Sequence, residues 1–134
     1  MNLNEWLYVL DGHNVRTTDD MAEWGRCFDS PDRIVAHTTD EHYEVSTVFL
    51  GVRHNHLRPG PPILFETMVF TTEAYAALVP AEESLDQLTL RYSSWDDAET
   101  GHDTTVKRLR KQIEFAQSGG YETEHKAEAP QTSS

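Results

Sequence analysis

The chain has 134 residues, the length of a single domain, and its 23 acidic residues against 11 basic ones give a formal net charge of −12. A field of that sign repels polyanions, so we expect no nucleic-acid polymer and no anionic membrane as a partner. The N-terminal residues do not resemble a secretion signal, and no apolar run approaches the roughly 20 residues of a membrane span. Cys27 is the one cysteine, so an internal disulfide is excluded, and we expect a cytoplasmic protein without cofactors.

The first elements predicted along the chain are a strand and a helix. Residues 6–10 are rich in aromatic and β-branched side chains, as strands are. After a polar turn, either Thr17 or Thr18 is expected to cap a helix near residues 19–28. The face of this helix that we expect to be buried consists of Met21, Trp24 and Phe28.

Four further strands are predicted, at residues 33–38, 43–51, 63–70 and 85–92. The second of these carries apolar residues on both faces, which indicates a central position in a sheet. It is expected to pair with the third as an antiparallel hairpin, because the two follow each other along the chain. For residues 71–84 two interpretations stay open: a short helix that ends at Pro80, or an irregular excursion.

The last predicted element is a long helix. Ser94 with Asp97 three residues later is typical of a helix N-terminus, and the glycines at 119–120 are typical of a C-terminus. The apolar face, at spacings of three and four, consists of Trp95, Ala98, His102, Val106, Leu109, Ile113 and Ala116.

Together these elements predict one α+β domain over residues 1–117. It has a mostly antiparallel sheet of four to five strands and two helices, of which the longer one is C-terminal. Residues 118–134 have no apolar period and are expected to form a disordered acidic tail.

An unusual loop at residues 52–62 joins the two central strands. It holds two arginines and two histidines in a strongly acidic chain, namely Arg53, His54, His56 and Arg58, and it ends in a proline-rich segment. A loop that is stiffened by proline and presents guanidinium and imidazole groups fits a phosphate or a carboxylate. The alternative is a solvated loop whose prolines only shape the turn. The two histidines lack a third ligand in the sequence, so we expect no metal site.

Two ionisable residues lie on apolar faces of predicted elements. Glu66 is either a general base with a raised pKa, or the partner of an arginine such as Arg91, or exposed to water. His102 follows Gly101 on the long helix and is either a hydrogen-bonded core residue or a ligand or base. The candidate catalytic residues are therefore His54, Glu66 and His102.

Four segments carry a resemblance: VSTVFLG (45–51), a histidine-bearing loop that ends in GPP (60–62), LFETMVF (64–70) and YSSWDDAETGH (92–102). The pattern VSTVFLG…H…GPP…LFETMVF…YSxWDxAxxGH resembles a family of small uncharacterised proteins common in bacteriophage and mobile-element genomes. The resemblance covers about residues 6–110. The chain departs from the family pattern in the loop. The pattern has an acidic residue before the histidine and glycines after it, whereas this chain has Arg53 before the histidine and Leu-Arg-Pro at residues 57–59.

The resemblance implies a biological context and no activity. Small phage accessory proteins often inhibit host defence, either by binding a host protein or by sequestering a nucleotide signal, and they act in the host cytoplasm. A function inferred in this way rests on association, since a shared fold does not fix a chemistry.

We interpret the chain as a non-enzymatic, homo-oligomeric binding protein for a small anionic, nucleotide-like ligand or for a host protein. The arginines would meet negative charge, the histidines and Glu66 would form hydrogen bonds, and Trp95 would stack. The expected ligand-binding residues are Arg53, His54, His56, Arg58, Glu66, Trp95 and His102. One alternative is a small hydrolase or lyase with a His–Glu acid/base pair, with or without a metal. Another is a structural or interaction domain that acts through its acidic surface.

Overall fold

A computed structural model describes residues 7–54 and 59–121 of the chain. Its strands form two antiparallel sheets. The small sheet is a hairpin of β1 (Tyr8–Asp11) and β2 (Asn14–Thr17). The large sheet has the order β3 (Ile34–Thr39), β4 (Tyr43–Phe49), β5 (Phe65–Thr71) and β6 (Thr89–Tyr92). The helices are α1 (Met21–Asp29), α2 (Glu73–Ala76) and α3 (Trp95–Gln117).

The predicted α+β class, the mostly antiparallel pairing and the long C-terminal helix are confirmed. The central position of β4 and its hairpin with β5 are confirmed as well. The structure has more elements than the predicted four to five strands and two helices, because it also contains β2 and α2. The sequence pattern did not predict β2, since its residues are polar and largely exposed. Pairing with β1 across a turn at Gly12, which adopts a φ of +62°, makes this segment a strand.

The long helix α3 packs on one face of the large sheet. Its buried residues are Trp95, Ala98, His102, Thr105, Val106, Leu109 and Ile113, which include six of the seven predicted apolar-face positions. Along β4, burial alternates strictly, so Tyr43, Val45, Thr47 and Phe49 lie under the helix. Among the described residues, no helix is long and apolar enough to cross a membrane.

The hydrophobic core has two parts. One surrounds the second half of α3 and contains Tyr43, Val45, Val69, Tyr75, Val79, Val106, Leu109 and Ile113. The other surrounds its first half and contains Tyr8, Phe49, Leu64, Phe65, Trp95 and Ala98. Three elements contribute to both parts of the core, and on each of them one buried polar residue lies between the two parts. These residues are Thr47 on β4, Thr67 on β5 and His102 on α3.

Residues 71–84 contain the short helix that was one of the two interpretations of this segment. The Thr72 hydroxyl caps α2 by accepting a hydrogen bond from the Tyr75 amide. Tyr75 is buried, and its hydroxyl donates to Gln112 Oε1 on α3 at 2.6 Å. It also accepts a hydrogen bond from the Leu85 amide at 2.9 Å. This one side chain therefore ties α2 and the approach to β6 to α3.

The prediction that a threonine caps the first helix is wrong. Asp20 caps α1, and its carboxylate accepts hydrogen bonds from the amides of Ala22 and Glu23. The Thr18 hydroxyl has other partners, because it donates to the Glu23 carboxylate and accepts from the Asp20 amide. Aspartate and threonine both suit a helix N-cap, so the sequence did not distinguish them.

The prediction that Met21 and Phe28 are buried is also wrong, since they are 55% and 44% exposed. The physical reason is that α1 packs against β1 and not across the large sheet. Trp24 on the same face is half-buried, and its indole N–H donates to the Gly51 carbonyl at 2.9 Å. On this face of α1, Trp24 thus anchors the helix, while Met21 and Phe28 at its two ends are exposed to solvent.

The end of α3 is packed beyond the predicted domain boundary at residue 117. Gly119 adopts a φ of +84°, the left-handed conformation that suits a glycine after a helix. Tyr121 then packs edge-on against Phe115, with ring centroids 4.8 Å apart, and contacts the core. The rest of the predicted tail, 122–134, lies outside the described residues.

Gly101 on α3 allows Tyr92 to approach the helix. A Cβ at position 101 would lie 2.1 Å from the Tyr92 hydroxyl oxygen, which donates a hydrogen bond to Thr67. We expect Gly101→Ala to lower the free energy of unfolding by about 1–3 kcal/mol, because the tyrosine must leave its site. The measurement is urea denaturation. Gly25→Ala on α1 is the matched control, since a Cβ there meets nothing within 4 Å. It should raise stability by up to about 1 kcal/mol, and an equal gain at position 101 would contradict the packing argument.

Candidate functional site

A cavity of about 640 Å³ lies between the β1–β2 hairpin, α1, the turn at Pro31–Arg33 and the start of α3. Its volume falls within the range of about 300–1,000 Å³ that is typical of small-molecule sites. We call it the hairpin cavity. The side chains used below that line it are Asp11, His13, Arg16, Arg26, Cys27 and Trp95.

A stacked pair of aromatic rings forms one wall of the hairpin cavity. Trp95 is the first residue of α3 and is only 8% exposed. The His13 ring lies parallel to it, with centroids 3.9 Å apart and an interplanar angle of 7°. Phe65 meets the indole edge-on at 6.2 Å from the other side of the core. The indole is therefore held in place by the core, while the exposed His13 ring covers it.

The indole N–H of Trp95 is buried and donates to no acceptor within the described part of the chain. Buried donors in proteins nearly always have a partner, and leaving one without costs roughly 1–3 kcal/mol. Trp95 therefore combines a ring on the cavity wall with a polar atom that is enclosed in this arrangement of the hairpin.

Ion pairs hold the hairpin against α1. The Arg16 guanidinium donates to Asp11 at 2.6 Å and to both carboxylate oxygens of Glu23, at 3.0 and 2.5 Å. These hydrogen bonds, together with one from the Thr18 hydroxyl, lower the pKa of Glu23 to about 2. The same contacts raise the pKa of Arg16. Both carboxylates of this cluster are thus hydrogen-bonded to one guanidinium, which leaves the three side chains with a formal charge of −1 (two acids and one base).

Arg26 differs from Arg16 because it donates no hydrogen bond within the described residues. It lies in the last turn of α1 and is exposed at the cavity. Cys27 beside it is half-buried and packs against the core part around Trp95. Arg16 is held by Asp11 and Glu23. Arg26 is therefore the cavity arginine whose guanidinium N–H groups are left to donate to a bound molecule.

His102 lies in a buried hydrogen-bond network at the centre of the α3–sheet interface. Its Nδ1 lies 2.7 Å from the Thr47 hydroxyl, and its Nε2 lies 2.9 Å from the Thr38 hydroxyl. Thr47 is in turn 2.5 Å from the Thr67 hydroxyl, which accepts from Tyr92. The imidazole is only 2% exposed, and burial lowers its pKa. His102 is therefore a neutral, hydrogen-bonded core residue.

Glu66 lies on the other face of the sheet. Its carboxylate accepts a hydrogen bond from Arg91 Nε at 3.0 Å, which is the pairing that the sequence left open as an alternative to a general base. In β5, Thr67 points to the helix side, so the adjacent Glu66 points away from it. No hydrogen bond or ion pair joins any two of His54, Glu66 and His102 within the described chain.

The loop at 52–62 is fixed at its base. Arg53 donates to the Gly60 carbonyl at 3.2 Å, and the His54 amide donates to the Ile63 carbonyl at 3.0 Å. The His54 side chain is exposed. His56 and Arg58, the other two loop residues expected to bind a ligand, lie outside the described residues.

Of the seven expected ligand-binding residues, Trp95 lines the hairpin cavity, whereas Glu66 and His102 lie on opposite faces of the sheet. Sequence reasoning missed His13 and Arg26. One follows a glycine in a turn and the other lies on a short helix, and neither position has a motif that could have marked it.

No known protein family, no functionally described protein and no solved structure matches this chain. The described residues contain no group of three or more histidine, cysteine or acidic side chains that could hold a metal ion.

The buried state of His102 has a consequence for stability. Below pH 6.5, the ordinary imidazole pKa, the unfolded chain takes up a proton that the folded chain does not, because burial lowers the folded pKa. We therefore expect the contribution of His102 to the free energy of unfolding to be fully present above pH 6.5. This contribution is lost as the pH falls through the pKa of His102 in the folded chain. Between about pH 7.5 and 5.5 the unfolding free energy should drop by up to about 1.4 kcal/mol through His102.

The measurement is urea denaturation at both pH values for the wild type and for His102→Gln, which retains a hydrogen-bonding side chain. Other ionisable groups contribute equally to both proteins, so the difference between their two drops isolates His102. An equal drop in the wild type and the variant would contradict a neutral, buried imidazole.

Proposed function

We propose that the protein is a non-enzymatic binding protein whose hairpin cavity holds a small ligand with a planar ring and a negatively charged group, such as a nucleotide. The observation that carries this proposal is Trp95, which is buried on the cavity wall, is stacked under His13 and has an indole N–H without a described partner. These features of Trp95 favour a ligand ring that either stacks on His13 or replaces His13 on the indole.

The ring-binding part of the proposal rests on the His13–Trp95 stack. Trp95 is held by α3 and Phe65, while His13 is carried by an exposed hairpin turn. A planar heterocycle can stack on the outer face of His13, or take its place on the indole if the turn moves. Stacking of a base on an aromatic side chain contributes about 1–3 kcal/mol per base.

The charge preference rests on Arg26. Asp11 and Glu23 are already paired with Arg16, so they repel an anion less than free carboxylates would. Arg26 offers a guanidinium with unused donors, and such groups bind phosphate or carboxylate in a bidentate manner. In a chain with a net charge of −12, a local cation is needed to hold an anionic ligand.

Binding is favoured over catalysis because, among the described residues of this site, no nucleophile is hydrogen-bonded to a base. Cys27 is a potential nucleophile, but no hydrogen bond joins its thiol to His13 or to a carboxylate among the described residues. A nucleophile without an adjacent base is weakly activated at neutral pH.

The proposal is tested by titrating the full chain with AMP and GMP and, separately, with the matching nucleosides, using calorimetry and tryptophan fluorescence. We expect a nucleotide to bind more tightly than its nucleoside. Arg26→Ala should weaken nucleotide binding by about 10- to 100-fold, the effect of losing a charge-assisted hydrogen bond, and should leave nucleoside binding unchanged.

Arg108→Ala is the matched control, because Arg108 is exposed on α3 and does not line the cavity. The Trp95→Phe variant shows whether the fluorescence change comes from Trp95, since the chain has three tryptophans. If no nucleotide binds at millimolar concentration, or if Arg26→Ala and Arg108→Ala behave alike, the proposal fails.

A further inference from the structure

The His13 ring covers one face of a core tryptophan without any hydrogen bond of its own. It lies parallel to the Trp95 indole at 3.9 Å between ring centroids, and His13 is exposed to solvent. Neither of its ring nitrogens has a hydrogen-bond or ion-pair partner among the described residues. Trp95 is only 8% exposed and packs in the core with Phe65. The indole is therefore the fixed member of the stacked pair, and the imidazole is the member that can leave.

The turn that carries His13 permits this departure. Gly12 and His13 are the two residues between Asp11 and Asn14, which form the last pair of the β1–β2 hairpin. Gly12 has a φ of +62°, and a glycine of positive φ at the first position is a favoured form of such a two-residue turn. Besides a shift of the whole turn, rotation about the Cα–Cβ bond of His13 takes its ring off the indole. This rotation leaves the hairpin pairing intact.

The site of the imidazole adjoins the hairpin cavity. His13 and Trp95 both line the cavity, whose volume is about 640 Å³. A ring that takes the place of the imidazole therefore has free space beside it. The two fused rings of a purine cover more of the indole than an imidazole does, and they extend into this space. Because stacking strength differs among bases, a purine competes with the imidazole better than a single-ring pyrimidine does.

We propose that His13 occupies the ring site of the hairpin cavity in the free protein, and that the purine ring of a nucleotide displaces it from Trp95. This inference rests on the proposed function and deepens it, because it selects the arrangement in which the ligand ring replaces His13. It also assigns the base to the purine class. Arg26, which lines the same cavity from the last turn of α1, remains the cation that meets the phosphate.

His13 is then a competitor built into the site. A ligand that needs an open indole binds with an apparent dissociation constant equal to the intrinsic constant divided by the fraction of molecules in which the indole is open. The stack lowers that fraction. Removing the imidazole therefore tightens binding, even though it removes a side chain that lines the cavity. A side chain that contacted the ligand favourably would have the opposite effect on removal.

The first experiment measures by calorimetry the affinity of the full chain for AMP and CMP in the wild type, His13→Ala and His13→Phe. We expect His13→Ala to bind AMP about 3- to 10-fold more tightly than the wild type, which is the factor that one aromatic pair imposes. His13→Phe puts a more apolar ring on the indole, so it should bind AMP at least about twofold more weakly than the wild type. Every protein should prefer AMP to CMP.

The opposite arrangement predicts the opposite order of affinities. If the base stacks on the outer face of residue 13, alanine weakens the binding of AMP and phenylalanine retains it. That result, or an AMP affinity that is the same in all three proteins, overturns the proposal, and equal affinities for AMP and CMP overturn the assignment to purines. His37→Ala is the matched control, because His37 is exposed and does not line the cavity, and it should leave AMP binding unchanged.

Free imidazole tests the ring site without a nucleotide. The probe is imidazole at about 1 to 100 mM and constant pH, a range suited to weak binding, and the readout is the Trp95 indole N–H signal in a ¹H–¹⁵N spectrum, identified by its absence in Trp95→Phe. Imidazole should shift this signal saturably in His13→Ala and not in the wild type, whose site is filled. Equal responses in the two proteins, or no response in His13→Ala, overturn the displaceable histidine. If no nucleotide binds to any of the proteins, the proposed function fails, and the imidazole response still decides whether His13 occupies a ring site.

Discussion

The structure depends on one constraint: a histidine and three threonines lie where an apolar core would otherwise run between α3 and the sheet. A buried polar group without a partner is costly, so His102 and the threonines must meet in one arrangement. His102 bonds Thr47 on β4 and Thr38 on β3, and Thr67 on β5 completes the chain of hydroxyls. These contacts fix how α3 is rotated and where it lies along the strands, which hydrophobic packing alone leaves less specific.

That placement determines where the first residue of α3 comes to lie. With His102 set over Thr47, the helix N-terminus puts Trp95 against Phe65 and under the β1–β2 hairpin. The hairpin is held separately, because Arg16 ties it to α1 through Glu23 and Trp24 ties α1 to Gly51. The hairpin cavity therefore lies between two independently fixed parts, as ligand sites in compact domains often do.

Charge is distributed in two ways in this acidic chain. In the cavity wall Arg16 is hydrogen-bonded to both Asp11 and Glu23, and on the sheet face opposite α3 Arg91 is hydrogen-bonded to Glu66. The excess negative charge is therefore carried by the remaining surface, which keeps copies apart at long range.

Residue periodicity predicted the α+β class, the antiparallel pairing of the two central strands and the buried face of α3, because it reports which side of an element is apolar. It also marked Trp95 and His102 through their positions on that face. The folded structure was needed to show that Asp20 caps α1, that Met21 and Phe28 are exposed, that Glu66 and His102 are separated by the sheet, and that His13 covers Trp95. The cap is a local feature that the sequence left ambiguous, because aspartate and threonine both suit an N-cap. The other facts depend on contacts between residues far apart in the chain, and local periodicity carries no information about which distant side chain becomes a neighbour.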